Sequence, residues 1–394
     1  YHGGPGGLAA GTATWTATGD AGSQFGYAIG TAGDVNGDGY SDIVIGAPML
    51  DPAERADAGG AYVYYGAVGG LSSTANWSVG GAAAGNRLGA AVGTAGDADG
   101  DGYADVVMGA YGSDSLAGRI GLYLGGSGGL TAGRTIAGEG AADRLGLEVG
   151  AAGDVNGDGF GDIIAGAPGY DGPGGANAGR ATVYHGSAAA PGGNWGPQGR
   201  VARAAGDVDG DGYSDVIIYD WPVVSGVTSH RVNLYYGSET ELSHGWHYRS
   251  ETDFRLTVGT TGDVNADGYA DMFVSDADTV RVFYGSSTGL TPSEYPYHPT
   301  PDWSAAVCGG AGCAVGTAGD VNADGYSDLI VGRKSANMAW VYYGSPTGLA
   351  IAADWTTTGS GGYGGAVGTA GDVNGDGYAR RRRRRRQRRL RLLR

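Results

Sequence analysis

Cysteine is scarce in this 394-residue sequence, in which Cys308 and Cys313 are the only two. Two cysteines are too few for a disulfide scaffold and the wrong number for a zinc site, and they leave open a short-loop disulfide or two unpaired thiols. No apolar run approaches the ~18 residues that span a membrane, and the N-terminal residues show no charged start followed by an apolar stretch. If the protein is secreted, its signal therefore lies upstream of residue 1.

Positive charge is also scarce outside the last few residues. The formal net charge is −16, yet residues 380–394 hold 11 of the 25 Lys and Arg residues and no acid. Residues 1–379 thus carry 14 basic against 41 acidic side chains. Such a body repels nucleic acid and anionic lipid, so we expect no nucleic-acid partner and no membrane insertion. Its natural counter-ions are cations.

Catalytic motifs are missing as well. The sequence contains no H-E-x-x-H and no G-x-S-x-G, and its six His residues have no metal-ligand spacing. His244 and His247 lie three residues apart, but a strand or loop context favours solvent-facing imidazoles. Paired acids outside the repeated motif described below, such as Asp276 and Asp278, are the only candidates for glycosidic acid/base chemistry. The sequence therefore predicts a protein that is not an enzyme.

Glycine is abundant, at 83 residues, but without the three-residue period of collagen, so many tight turns are expected. A segment of the type GTAGDVNGDGYSDIVIGAP recurs, with its first Asp at 34, 97, 154, 207, 263, 320 and 372. A period of 50 to 60 residues with several short apolar runs is typical of a β-propeller blade. In the first repeat the strands are predicted at Phe25 to Thr31, Asp42 to Ala47, Ala61 to Gly66 and near Trp77.

The repeats predict an all-β fold: a seven-bladed β-propeller of four-stranded antiparallel blades whose last blade is incomplete. With four antiparallel strands per blade, the first-to-second and third-to-fourth connections share one face of the ring. One phase of the repeat carries a Trp in most blades, which predicts packing between blades instead of ligand stacking. These residues are Trp15, Trp77, Trp195, Trp246, Trp303 and Trp355.

Each repeat carries D-x-[DN]-x-D-G-x-x-D between its first two strands. Oxygen ligands at positions one, three and five, a turn at the Gly of position six, a carbonyl at position seven and a final Asp form a nine-residue loop suited to calcium. An EF-hand is excluded because the loop closes with Asp at nine and a β run follows. Turns that merely reverse the chain would explain a single copy, but not six full copies at one phase. The predicted ligands are Asp34, Asn36, Asp38, Tyr40, Asp42; Asp97, Asp99, Asp101, Tyr103, Asp105; Asp154, Asn156, Asp158, Phe160, Asp162; Asp207, Asp209, Asp211, Tyr213, Asp215; Asp263, Asn265, Asp267, Tyr269, Asp271; Asp320, Asn322, Asp324, Tyr326, Asp328; and, in an incomplete seventh loop, Asp372, Asn374 and Asp376.

The residues FGYAIG followed by GDVNGDGYSDIVIGAP resemble the FG-GAP repeat of the N-terminal propeller of integrin α subunits and of many bacterial secreted proteins. This resemblance implies a seven-bladed ring with Ca²⁺ on one face and partners on the opposite face or rim. The Gly- and Ala-rich repeats are more similar to a bacterial member than to an animal integrin. We divide the chain into residues 1–24, the end of a preceding blade; 25–379, the repeats; and 380–394, an Arg-rich tail.

The predicted function is a calcium-stabilised binding or cell-adhesion module, secreted or on the cell surface and monomeric as a domain. Its protein or glycan ligand is expected on the face opposite the calcium loops, where the connections differ most between repeats. Asp51, Glu54, Arg55, Tyr170, Trp221 and Arg333 are the first candidates there. The alternative is the propeller part of a secreted enzyme that degrades polysaccharide or lipid.

The C-terminal tail breaks the repeat, because seven consecutive Arg residues begin where the ninth loop position and a Val/Ile strand are expected. GC-rich codons for Ala-Asp-Val-Val-Val-Gly become Ala-Arg-Arg-Arg-Arg-Arg after insertion of one base. We therefore interpret residues 380–394 as a frameshift product, and we expect weak calcium binding at the seventh loop and imperfect closure of the ring.

Overall fold

A computed structural model describes residues 1–8, 13–172, 175–188, 192–195, 199–221, 223–224, 227–228, 230–250, 256–290 and 299–378. The interpretation of residues 380–394 as a frameshift product falls outside the described residues. No helix in the described ranges is long and apolar enough to cross a membrane.

Six four-stranded antiparallel sheets make up the fold, each built from strands in chain order. The strands of blade 1 are β1 (Ala28–Gly33), β2 (Asp42–Ala47), β3 (Gly60–Tyr64) and β4 (Trp77–Gly80); those of blade 2 are β5 (Ala91–Gly96), β6 (Asp105–Gly109), β7 (Arg119–Leu124) and β8 (Thr131–Ala137); those of blade 3 are β9 (Glu148–Gly153), β10 (Asp162–Ala167), β11 (Arg180–His185) and β12 (Gly192–Trp195). Short helical turns lie at Pro52–Glu54, Ser113–Leu116 and Lys334–Ala336.

Blade 4 differs from the others by an inserted hairpin. Its sheet contains β13 (Val201–Gly206), β14 (Asp215–Asp220), β17 (His230–Tyr236) and β18 (Ser243–Ser250), and the hairpin contains β15 (Val223–Val224) and β16 (Val227–Thr228). Blade 5 contains β19 (Thr257–Gly262), β20 (Asp271–Ser275), β21 (Val280–Phe283) and β22 (Trp303–Ala305); blade 6 contains β23 (Ala314–Gly319), β24 (Asp328–Arg333), β25 (Met338–Tyr342) and β26 (Trp355–Thr358).

The second strand of each blade is an apolar run buried on both sides, as in DIVIGA of β2, because a middle strand packs against both neighbouring blades. Successive blades share hydrophobic clusters; one joins Val183 of blade 3 to Ile218 of blade 4. The core of the molecule is therefore a series of interfaces between blades.

The prediction of seven blades was wrong, since the described residues form six four-stranded sheets. Residues 366–369 occupy the place in the repeat of a seventh first strand, yet they are not in a strand. The Arg run stands where the next repeat segment would place Asp and Val or Ile, so the sequence pattern of a second strand is missing after them. A first strand without a partner has no ladder to join.

The two ends of the chain nevertheless lie together between blades 6 and 1. In complete blades, a residue two or three positions after the third strand donates its N–H to the second loop residue of the preceding blade, as Ser345 does to Val264 (3.0 Å). Gly4 makes this bond to Val321 and Ala67 makes it to Val373, each at 3.0 Å. Hydrogen bonds from both ends thus close the ring without a seventh sheet.

Among the described Trp side chains at this phase, Trp77 and Trp303 pack between blades, as predicted. Trp77 of blade 1 meets Tyr123 of blade 2 edge to face, with ring centroids 5.2 Å apart. Trp303 contacts Tyr342 in the same way at 5.0 Å. Trp355 contacts Tyr1, and Trp15 contacts Tyr64, both at 5.0 Å, so aromatic contacts also join the chain ends to blades 6 and 1.

The strand order defines two faces. We call the face with the first-to-second and third-to-fourth connections the loop face, because it holds the repeated acidic loops. We call the other, with the second-to-third connections and the links between blades, the opposite face. The two faces lie at opposite ends of every strand, as the sequence predicted.

Candidate metal centre

The acidic loops share one hydrogen-bonded geometry. In the first loop, the Asp34 carboxylate accepts the N–H groups of Asp38 (3.0 Å) and Gly39 (2.9 Å), and Asp38 accepts that of Tyr40 (3.0 Å). Gly39 has a φ of 91°, which a side chain would make costly. The turn at position six therefore folds the side chains at positions one, three and five toward one another.

The Asp at position nine is buried in every complete loop. In the fifth loop, Asp271 Oδ2 accepts the Val264 N–H (2.8 Å) and Oδ1 accepts the Gly285 N–H (2.9 Å), where Gly285 follows the third strand. The same pair of bonds occurs at Asp42, Asp105, Asp162, Asp215 and Asp328. Each carboxylate oxygen keeps a second lone pair, so this Asp can brace the blade and still ligate a cation.

Sequence reasoning missed the glycine that follows each third strand. Its N–H holds the position-nine Asp, and a side chain at Gly285 would place Cβ 2.5 Å from the Ala270 carbonyl oxygen. The signal was present, because a Gly ends this segment in every repeat. The glycines that donate to the position-nine Asp are Gly66, Gly125, Gly186, Gly237, Gly285 and Gly344.

Two kinds of loop differ at position three. Where Asn stands there, its amide donates to the position-five Asp, as Asn36 does to Asp38 (3.0 Å); the others of this kind are Asn156, Asn265, Asn322 and Asn374. Where Asp stands there, at Asp99 and Asp209, no side-chain donor is available and three carboxylates converge. Oxygens of Asp97, Asp99 and Asp101 lie within 4.8 Å of one another, as do those of Asp207, Asp209 and Asp215.

The loops fit a hard cation. Oδ1 of Asp97 is buried and has no hydrogen-bond partner among the described residues, which is costly unless an ion binds there. The converging donors are carboxylate and amide oxygens with no thiolate, the set that Ca²⁺ prefers. Bound calcium would supply positive charge to the converging acids; the loop residues would hold it and thereby tie the first two strands of a blade together.

Burial and crowding of like charges raise the pKa values of the position-nine Asp residues. Burial first, then the neighbouring loop acids, raise the pKa of Asp271 and of Asp215 to about 8, against the lowering effect of their main-chain hydrogen bonds. The pKa of Asp42 and of Asp328 is raised to about 7 and that of Asp105 to about 6 for the same reasons. A cation among these acids would favour their charged forms.

The seventh loop keeps the geometry of the others over its described residues. Gly377 donates to Asp372 (3.1 Å), and Asn374 donates to Asp376 (2.7 Å). The carbonyl of Asp372 accepts the Ser41 N–H (3.0 Å), the contact that Asp34 makes with Ala104 of the next blade (3.1 Å). Position nine, which is Arg380, lies beyond the described residues, and weak binding at this loop stays a prediction.

In the candidate acid pair on the opposite face, Asp276 forms hydrogen bonds and an ion pair within the fold. Asp276 accepts the N–H groups of Asp278 and Thr279 and pairs with Arg281 at 2.7 Å. Although burial acts to raise it, these bonds and Arg281 lower the pKa of Asp276. A carboxylate held in its charged form cannot act as a general acid.

Cys308 and Cys313 form a disulfide, one of the two alternatives that the sequence left open. The bridged segment connects β22 of blade 5 to β23 of blade 6. It lies against the turn between β20 and β21, where Cys308 donates its N–H to the Asp278 carbonyl (2.9 Å).

Comparison with known proteins agrees with the repeat found in the sequence. The model of the FG-GAP repeat matches residues 25–64 and 147–184, and that of the FG-GAP-like repeat matches residues 320–379. Integrin alpha-5 of Xenopus laevis is 30% identical over 160 residues, and integrin alpha-V of Gallus gallus is 33% identical over 164 residues. Each alignment covers 38% of this chain and 15% of the relative.

Among solved structures, a protein from Lactobacillus plantarum aligns with a TM-score of 0.46 at 12% identity, covering 84% of this chain and 85% of that one. A likeness of that size adds nothing to the fold described above. The matched ranges include the acidic loops of blades 1, 3 and 6. The chain therefore contains FG-GAP repeats and is similar, over little more than a third of its length, to integrin alpha subunits.

Proposed function

We propose that this chain is a calcium-stabilised extracellular binding or adhesion module, whose loop face holds calcium and whose opposite face binds a protein or glycan. The propeller and its similarity to integrin alpha subunits support a binding module in general. The more specific proposal rests on how charge is divided between the two faces.

The sequence places no Lys or Arg in any connection of the loop face, whereas 22 of the 41 acids lie in its repeated loops. Of the 13 basic residues before residue 380 that the structure describes, 11 lie in connections of the opposite face or at the strand ends that meet it; Arg134 and Arg203 lie within strands. Unpaired carboxylates packed this closely destabilise the fold unless cations neutralise them. This separation is the observation that carries the proposal.

The basic residues of the opposite face are held in defined positions. Arg119 pairs with Asp114 (2.6 Å), Arg180 with Glu139 (2.7 Å) and Arg231 with Asp220 (3.1 Å). Arg180 also lies over the ring of Tyr170 at 4.8 Å, and Arg200 lies over that of Trp221 at 4.7 Å. Two of the predicted recognition residues thus belong to pre-formed Arg–aromatic pairs, which suit protein and glycan surfaces.

The enzyme alternative has less support. In the candidate pair Asp276 and Asp278, Asp276 accepts a hydrogen bond within a turn and forms an ion pair with Arg281. We therefore propose binding without turnover.

The test is thermal unfolding of the full chain with chelator and with millimolar calcium. A site with a Kd of about 0.1 mM adds about 1.4 kcal/mol at millimolar calcium. Six such sites would add about 8 kcal/mol, comparable to the net stability of a domain. We expect a large rise in the melting temperature with calcium and none with sodium. Superimposable curves in calcium and chelator would refute the proposal.

A further inference from the structure

A β-bulge in blade 4 changes where two histidines point. Along β17 and β18, Leu234 is paired with Trp246, but the next residue, Tyr235, is paired with His244. Gly245 is therefore an extra residue on β18. In a regular strand, residues three apart face opposite sides of the sheet. A bulge re-aims the side chains beyond it.

Both imidazoles lie on the side of the sheet that faces blade 3. Trp246 and Tyr248 pack on the other side, in one cluster with Val258 and Phe283 of blade 5. His247, between them, faces away from that cluster. His244 contacts the ring of Tyr235 at 5.4 Å, and Tyr235 packs against a cluster of blade 3 and blade 4 residues.

The two imidazoles are adjacent, with ring centroids 5.9 Å apart and planes inclined by 26°. Two histidines on one zinc ion, with Zn–N of about 2.0–2.1 Å in tetrahedral geometry, have ring centres about 5–6 Å apart. The observed separation therefore leaves room for one metal ion between them after small side-chain rotations.

The surroundings suit a cation more than the nearby arginines suggest. Arg231 forms two hydrogen bonds with Asp220 (3.2 and 3.1 Å), which offset its charge, and Arg249, paired with Arg231 two residues from His247, is exposed to solvent. The excess of acid in the chain also concentrates cations around it.

We propose that His244 and His247 form a two-histidine site for a transition-metal dication such as Zn²⁺, completed by water and separate from the calcium loops. Imidazole nitrogen prefers such metals, whereas the loop oxygens prefer calcium. The proposed site therefore binds a metal of a different class, on the side of the blade 4 sheet that faces blade 3.

Calorimetric titration of the full chain with Zn²⁺, in calcium that saturates the loops, tests the site. We expect one zinc equivalent to be lost in His247→Ala and in His244→Phe, which keeps an aromatic ring against Tyr235. His2→Ala, which removes a histidine near the seventh loop, should retain that equivalent. Calcium-dependent melting should be the same in all four proteins, which shows that each variant folds.

Deletion of Gly245 tests the role of the bulge. It keeps both imidazoles and leaves them two residues apart in a regular strand, where they still share one face of the sheet, so the zinc equivalent should be retained. If the two histidine variants bind zinc with the stoichiometry and affinity of the unaltered chain, or if the unaltered chain shows no saturable zinc binding in calcium, the proposal is wrong.

Discussion

The chain reverses direction on both faces of this propeller, but the connections that reverse it differ between the two faces. On the loop face, tight turns are made by Gly and acids at fixed positions, repeated with little change from blade to blade. On the opposite face, the connections differ in length, carry almost all of the basic residues and use strained backbone. Of the 14 described non-glycine residues with positive φ, 12 lie on the opposite face.

This difference separates stability from recognition. Repetition on the loop face suits one task performed at every blade, which is to bind a cation and hold two strands. Variation and backbone strain on the opposite face are typical of binding surfaces displayed on a rigid scaffold. Ser113–Leu116 in blade 2, with three consecutive positive φ values from Asp114 to Leu116, is the strongest example.

The largest effect is expected at position nine of a loop. Asp271→Ala leaves the buried N–H groups of Val264 and Gly285 without an acceptor, which costs about 1–3 kcal/mol for each group even without metal. We expect the free energy of unfolding in chelator to fall by about 2–5 kcal/mol, and further in calcium. Urea unfolding measures both.

The matched control on the opposite face is Asp114→Ala. Its ion pair with Arg119 is exposed, so its loss should cost less than about 1 kcal/mol. Equal effects of the two substitutions would remove the distinction between a structural loop face and a variable opposite face.

The pH dependence of stability should also separate the faces. For Asp42, Asp105, Asp215, Asp271 and Asp328, the pKa in the folded protein is raised from 3.8 to between about 6 and 8. The metal-free folded state therefore binds protons more tightly than the unfolded state, and stability falls as pH rises from about 4 to about 8. With calcium bound, this fall should be much smaller.

Urea unfolding at several pH values, in chelator and in calcium, measures this dependence. A metal-free protein that gains stability between pH 5 and pH 8 would contradict the view that the buried loop acids dominate its titration. Asp276, whose pKa is lowered, changes the stability with pH in the opposite direction. It is one group, against the five Asp residues named above.

Much of this comparison could be predicted from the sequence, because the repeat is regular. The spacing predicted four-stranded antiparallel blades, the phase of Trp77 and Trp303 predicted packing between blades, and the acids of the loops predicted a shared geometry. Each of these depends on residues close together in the chain or on a repeated period. The number of complete blades was not predictable in this way, since it depends on whether the strand after residue 379 exists to pair with 366–369.

Two features of the sites depend on register, which the sequence does not show. The position-nine Asp was expected only as a ligand, whereas its carboxylate also binds the N–H of a glycine 14 to 24 residues away, such as Gly285 or Gly66. His244 and His247 were expected to face solvent because they lie in a strand or loop. The extra residue at Gly245 becomes visible only when the strand is paired with its neighbour.

A smaller effect should distinguish the two kinds of acidic loop. Asp99→Asn gives the second loop an amide that can donate to Asp101, as Asn36 donates to Asp38. We expect the metal-free protein to become more stable and calcium binding at that loop to weaken, because one charged ligand is lost. Asn36→Asp is the reverse substitution and should have the opposite pair of effects; calorimetric calcium titration and urea unfolding report both. A change of the same sign in both variants would show that position three does not control the loop.

The smallest effect concerns the two exceptions on the loop face, Ala266 and Ala323. They occupy position four of their loops with φ values of 54° and 58°, where the other loops have Gly. An alanine in this region costs about 1 kcal/mol in the folded state, and replacing it with glycine also loosens the unfolded chain, which offsets part of the gain. Ala266→Gly should therefore stabilise the protein by about 0.5 kcal/mol. Gly37→Ala should destabilise it by more, because the new Cβ would lie 2.5 Å from Cε1 of Tyr103 in the next blade. Thermal unfolding in calcium compares the two variants. If Ala266→Gly lowers the melting temperature, the effect of glycine on the unfolded chain is larger than the strain that alanine causes in the folded loop.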